Sequence, residues 1–208
     1  MMGKHADSID SKVLRRIRAN GRGWVFTPSD FLDLGSRTTV AALIRYGRDG
    51  TVRRLGRGLD DYPKRHSAIG LLSPTSDAIS YAIGGKHATR LQPSGAYAVN
   101  LLGLSEQVPM KVVYLTDGPT RRIQIGTQQI LLKPTTPRNM ATAGRISGLV
   151  IQALRFLGKE ATADSTVKAL KSKLSDEDKA QLLMDVRYAP AWIADIIRDV
   201  AADSVQTK

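Results

Sequence analysis

Apolar positions near the start of the chain recur at helical spacing. Ile9, Val13, Leu14 and Ile17 make one face, Lys12, Arg15, Arg18 and Arg22 lie opposite, and Gly21 and Gly23 end the run. A short apolar link follows, Trp24-Val25-Phe26. Thr27 then caps a second, short helix (PSDFLDL), with Pro28 at its first position and Asp30 at capping-box spacing, and Gly35 closes it. Ser36 is the expected cap of a third helix, Arg37 to about Arg48. Asp49-Gly50 marks a turn, TVRRLG opens a strand, Gly56-Arg57-Gly58 forms a tight tip and LDDYP returns.

The pattern changes across Tyr62 to Pro74, where two prolines meet a basic cluster. That break predicts two domains, 1–66 and 67–208. In the second, SPTSDAISYAIGG reads as a helix capped by Ser73 or Thr75, and SGAYAVNLLG as another. KVVYLT, RRIQI and QILLK, separated by turn residues, predict a three-stranded antiparallel meander. Helical periodicity covers Ala143–Leu157, Thr166–Leu174, Asp176–Val186 and Trp192–Val200, with Ser175 and Asp178 at capping-box spacing. Gly144, Ser147 and Gly148 permit close helix packing, and Trp192, Ile193, Ile196 and Ile197 are expected in the core. The fold class is α+β: an N-terminal winged helix-turn-helix, then an α+β domain with a small antiparallel sheet and a helical end.

Helix, helix–turn–helix and a two-stranded hairpin are the parts of a winged helix, so the third helix should have a core face and a free face. At 100° per residue, Val40, Leu43, Ile44 and Gly47 fall on the expected core side. Thr38, Ala42, Arg45 and Asp49 fall opposite, flanked by Thr39, Ala41 and Tyr46. Such a helix enters the major groove by its N-terminal end. Arg37, Thr38 and Thr39 would meet phosphate or base edges, Ala42 would allow close approach, and Arg45 would clamp guanine or phosphate. Arg53, Arg54 and Arg57 on the hairpin would reach a minor groove or flanking backbone. A further basic set, Lys111, Arg121, Lys133, Arg138 and Arg145, would extend the DNA footprint or meet an acidic partner. Arg122 beside Arg121 should point to the opposite face by strand alternation.

Charge strengthens this picture. The 208 residues hold 31 Lys+Arg against 19 Asp+Glu, a net charge of +12. Residues 1–66 have 14 basic against 7 acidic groups, residues 67–157 have 9 against 3, and residues 158–208 have 8 against 9. The surplus lies in the first three quarters of the chain, where it would release counterions from a phosphate backbone.

The runs GWVFTPSDFLDLGSRTTVAALIRYGRDGTVRRLGRGLDDYP, RLQPSGAYAVNLLGL and VVYLTDG resemble the AbiEi-type antitoxins, the DNA-binding halves of abortive-infection toxin–antitoxin pairs. The resemblance spans nearly the whole chain. Its most specific parts are the hairpin with its Tyr-Pro and the stretch Gln92-Pro93-Ser94-Gly95-Ala96. The hairpin departs from the family's usual Gly-Leu-Tyr or Gly-Ile-Tyr ending, with Asp60 replacing the aromatic. Tyr46-Gly47 likewise stands where an apolar pair is common. The resemblance implies a winged helix that represses its own operon and a C-terminal domain that neutralises a nucleotidyltransferase-like toxin. The implied partners are double-stranded operator DNA and that toxin, with self-association on DNA left open. The alternative is a plain winged-helix transcription regulator whose C-terminal domain binds an effector or dimerises.

Chemistry is not expected. Cysteine is absent, and His5, His66 and His87 lack metal-ligand spacing, so neither a metal nor a cofactor is implied. Gly84-Gly85-Lys86 lacks the spacing of a phosphate-binding loop, and there is no G-x-S-x-G elbow. Asp77, Glu106 and Asp117 are the only carboxylates in 67–157, a thin supply for a metal-dependent nuclease. An aromatic content of 5% disfavours a base-stacking RNA surface. With neither a signal peptide nor an apolar span, the expected location is the cytoplasm.

Overall fold

The computed structural model describes residues 8–85 and 90–202. His5, Lys86 and His87, considered above, lie outside them. The chain is mixed α+β and divides into two compact units, residues 1–88 with Ile123–Ile125, and residues 89–122 with 126–208. The division after residue 66 expected from the prolines is therefore displaced. Tyr62 is tied back to the first unit, its N–H donating to the Trp24 carbonyl at 2.9 Å and its own carbonyl accepting from Gly23 at 2.6 Å. Beyond it the chain folds as a small hairpin before a further helix joins the same unit.

The first unit runs α1 (Ile9–Ala19), β1 (Val25–Phe26), a 3-10 helix (Pro28–Leu34), α2 (Ser36–Arg48), β2 (Arg53–Gly56) and β3 (Leu59–Asp61). The hairpin β4 (Arg65–His66) and β5 (Gly70–Leu71) and the helix α3 (Ser76–Gly84) complete it. β1, β3 and β2 form an antiparallel sheet in that order. The local signals explain most of the boundaries. Ser8 caps α1, its hydroxyl accepting from the Ser11 N–H at 3.2 Å. The Asp30 carboxylate closes the 3-10 helix, accepting from the Thr27 N–H at 2.8 Å. Ser36 is already inside α2; the position before it is Gly35, whose φ of 101° favours glycine. Val13, Ile17, Phe26, Phe31, Leu43 and Val52 fill the core. Rings of Trp24, Phe26 and Phe31 meet there at 4.7 to 5.8 Å.

The second unit holds β6 (Leu91–Ser94), α4 (Ala96–Leu101), β7 (Lys111–Thr116), the start of β8 (Arg121–Ile125, whose Ile123–Ile125 group with the first unit) and β9 (Gln128–Pro134), then α5 (Pro137–Met140) and α6 (Ile146–Leu157). α7 (Asp164–Lys173), α8 (Asp176–Asp185) and α9 (Ala191–Ala201) follow. The sheet order is β6-β7-β9-β8. It is not the meander expected from three successive strands. β6 and β7 are antiparallel, but β7 and β9 run parallel, with Val112 beside Ile130 and Tyr114 beside Leu132. Burial gives the reason. Val112, Tyr114, Ile130 and Leu132 are all buried, so β7 and β9 belong side by side in the interior. RRIQI has no buried residue and takes the edge.

α6 and β6 meet closely at Gly148. A Cβ added there would collide with the Gln92 side chain and with the Thr142 carbonyl. Gly148→Ala is therefore expected to destabilise the protein by about 1–3 kcal/mol through overpacking. The measurement is urea unfolding; an unchanged midpoint would show that the helix and strand have room to part. Leu170, Leu182, Ile193 and Ile197 share one apolar core with Val150 and Leu154 of α6. No helix among the described residues is long and apolar enough to cross a membrane.

Candidate nucleic-acid interface

α2 does present a free face, but not the expected one. Its buried residues are Thr39, Ala42, Leu43 and Tyr46, spaced i, i+3, i+4 and i+7. Val40 and Ile44, expected inside, are 40% and 47% exposed, and Gly47 is exposed as well. The helix is rotated because Tyr46, the bulkiest residue on it, has more apolar area to bury than either aliphatic. Its hydroxyl also reaches the Asp10 carbonyl of α1 at 3.0 Å. Thr39 is only 1% exposed, and its Oγ1 has no hydrogen-bond partner among the described residues. Neither Thr39 nor Ala42 is on a surface that could face DNA.

The arginines separate by what they hold. Arg53 forms a fork-like pair with Asp61 on the neighbouring strand, Nε at 3.0 Å and Nη2 at 2.6 Å, and also donates to the Leu72 carbonyl at 2.8 Å. It is a bracket inside the first unit, with its donors committed to Asp61 and the Leu72 carbonyl. Arg45 is ion-paired to Asp10 of α1, and its guanidinium lies over the Tyr46 ring at 5.2 Å. Arg54 is 65% exposed and stands 3.7 Å from Asp60. Arg37 and Thr38 are exposed at the start of α2, and Arg57 at the turn between β2 and β3. Arg48, treated above only as the end of the helix, is exposed one turn beyond Ile44. The side chains of Arg37, Arg48 and Arg57 make no hydrogen bond or ion pair among the described residues. Choosing Thr39, Ala42, Leu43 and Tyr46 as the inner face would have put Arg48 outside. The signal was the single aromatic of the helix.

Asp60 is buried in β3. Burial pushes its carboxyl above the ordinary value; Arg54 opposes that rise and Asp61 adds to it. Val40, Ile44, Arg48, Arg54, Asp60 and Leu71 are among the residues lining a groove of about 480 Å³ beside the outer face of α2.

The members of the second basic set differ in what they hold. Lys111 opens β7 and Lys133 lies beside Leu115 near its other end. They share the face opposite the buried residues, but four residues separate them, about 13 Å along a strand. Arg121 and Arg122 are both exposed on the edge strand, where alternation does not hide either. Arg138 donates to the Arg187 carbonyl at 3.3 Å. Arg145 is half exposed and is anchored at one end of an internal network. Its Nη1 lies 2.7 Å from the buried Asp185, which also accepts from Ser147 at 2.5 Å and Gln181 at 2.9 Å. Ser147 thus serves as a hydrogen-bond donor to that carboxylate. Asp117 is a turn residue held by Arg90, whose side chain donates at 2.9 Å and lowers its carboxyl.

Burial alone would raise the Asp185 carboxyl, but the hydrogen bonds from Ser147, Arg145 and Gln181 outweigh it and hold the group below the ordinary carboxylate value. A carboxyl depressed in the folded state contributes stability in full above its unfolded value of about 3.9, and loses it as pH falls through the lower folded value. Melting temperature should therefore fall more steeply for the natural protein than for Asp185→Asn between about pH 5 and pH 2. Parallel curves would show that the network does not shift this carboxyl.

The chain belongs to DUF6088, described as a family of unknown function, whose family model matches residues 12–182. No curated protein matches it. Among solved structures, the RV2827C protein from Mycobacterium tuberculosis is similar at 14% sequence identity and a TM-score of 0.46, over 96% of this chain and 76% of that one.

Proposed function

We propose that this member of the DUF6088 family is a DNA-binding antitoxin that represses its own operon, binding double-stranded DNA through a winged helix in the first unit. The order α1–β1–3-10 helix–α2–β2–β3, with β3 between β1 and β2, supports that reading. In it α2 is the recognition helix and β2–β3 the wing. The observation that carries the proposal is the set Arg37, Arg48 and Arg57: three guanidinium groups on one helix and the adjoining turn, exposed and engaged with nothing in the described protein. A stable fold gains nothing from leaving them so, whereas a phosphate backbone supplies the partner each lacks. The antitoxin role rests on the sequence resemblance to the AbiEi-type proteins, and the second unit is assigned to neutralising the toxin on that ground.

Binding of the full chain to two duplexes, one spanning the DNA upstream of its own reading frame and one unrelated, tests this proposal. Affinity should favour the upstream duplex. It should fall with salt at a logarithmic slope of about −2.7 or steeper, from roughly −0.9 per phosphate neutralised. Equal affinity for both duplexes, or no binding at low salt, would defeat the proposal.

A further inference from the structure

The groove beside α2 is not built like a phosphate cradle. Val40, Ile44 and Leu71, each between 40% and 47% exposed, leave apolar surface open there. Arg48, Arg54 and Arg65 also line it. Arg54 is partly engaged by Asp60 at 3.7 Å, while Arg48 and Arg65 hold no ion pair among the described residues. A bare phosphate would leave the aliphatic walls in water, and a purely apolar molecule would cover guanidinium groups without pairing them. A volume of about 480 Å³ lies in the range of small-molecule sites, roughly 300–1,000 Å³.

We propose that this groove binds a small organic anion, an apolar body bearing one carboxylate, sulfonate or phosphate, and that the bound anion releases DNA. The body lies against Val40 and Ile44 and the acid head pairs with Arg48 or Arg65, whose planar forks suit such oxyanions. The release step rests on the DNA reading above: the ligand occupies the outer face of α2 and takes up Arg48, so it and a duplex exclude one another. The groove lies wholly within the first unit, so this regulation needs no effector site in the second.

The probe is anilinonaphthalene sulfonate, whose fluorescence reports binding without DNA, compared with uncharged phenylnaphthylamine. The natural protein should bind one sulfonate probe per chain, saturably, and the uncharged probe about tenfold more weakly. Ile44→Asp should weaken sulfonate binding about tenfold or more and Arg48→Ala severalfold, while Arg18→Ala on α1 leaves it unchanged. Melting curves establish that each variant is folded; Val40→Asp and Arg65→Ala replace any that is not. Sulfonate binding indifferent to both groove positions, or equal binding of the uncharged probe, would overturn the site. In the presence of upstream duplex the probe should raise the apparent Kd for DNA in proportion to its occupancy. Probe and duplex bound together without competition would overturn the release step. A natural protein that binds the probe as described but no duplex would overturn the release step together with the DNA reading, and would leave the groove as an anion site.

Discussion

Replacing Arg37, Arg48 and Arg57 together by alanine is expected to weaken duplex binding by about two to three orders of magnitude at low salt. All three are exposed and make no ion pair among the described residues, so their removal should cost the fold little. The logarithmic salt slope should become shallower by about 2.7, since three phosphate contacts are lost. Arg45→Ala is the informative comparison. That arginine is already occupied by Asp10 and Tyr46, so its loss should change affinity by no more than about threefold. Electrophoretic mobility shift or anisotropy titrations at several salt concentrations provide the measurement. If Arg45→Ala lost as much as the triple variant, α2 would engage DNA by a different face. Neutralisation of a neighbouring toxin should survive the triple change if it belongs to the second unit, and coexpression with scoring of growth tests that separately.

Arg53→Ala should be the most destabilising single arginine change in the first unit. The Asp61 carboxylate is 1% exposed and receives both donors of the Arg53 fork. Without them a buried charge is left uncompensated, at a cost of about 3–5 kcal/mol. The Leu72 carbonyl loses its donor at the same time. Urea unfolding followed by tryptophan fluorescence is well placed to see this, because Trp24 packs beside the first unit's core. The paired change Arg53→Met with Asp61→Leu should recover most of the lost stability, since it removes the charge instead of orphaning it. A loss below about 1 kcal/mol for Arg53→Ala would show that water already reaches Asp61. Any fall in DNA affinity for Arg53→Ala should track the unfolded fraction, unlike the effect of Arg57.

Much of the local structure was legible in the residues because the signals are short-range. Thr27 with Asp30, and Ser175 with Asp178, close their helix starts as the spacing predicts, each contact spanning three residues. The α1 face of Val13 and Ile17 is buried, and the turn at Gly56-Arg57-Gly58 joins β2 to β3. The candidate site was legible only in part. Arg37, Thr38, Arg54 and Arg57 are exposed where they were expected, whereas Thr39 is buried, and Arg53 and the half-exposed Arg145 are each engaged by a buried carboxylate. In each of those three cases the deciding neighbour is remote in sequence or lies on another element: the packing of Tyr46 on α1, Asp61 across a strand pair, Asp185 forty residues on.

Sequence alone determined most of the helices, the hairpin β2–β3, the strands β7 to β9 and the basic character of the first three quarters of the chain, because periodicity, caps and charge are properties of neighbouring residues; the short strands β1 and β4 to β6 and the one-turn helix α5 carry too few residues to show a period. Tertiary structure decided which face of α2 points outward, since two faces of similar apolarity competed and the larger ring of Tyr46 took the interior. It also decided that β9, not β8, lies beside β7, because two strands with alternating buried residues gain more by pairing with each other than with an arginine-rich edge. And it decided which arginines remain available to a partner. A guanidinium group is spoken for or free according to the carboxylate that the fold brings to it, and no spacing along the chain reports that distance.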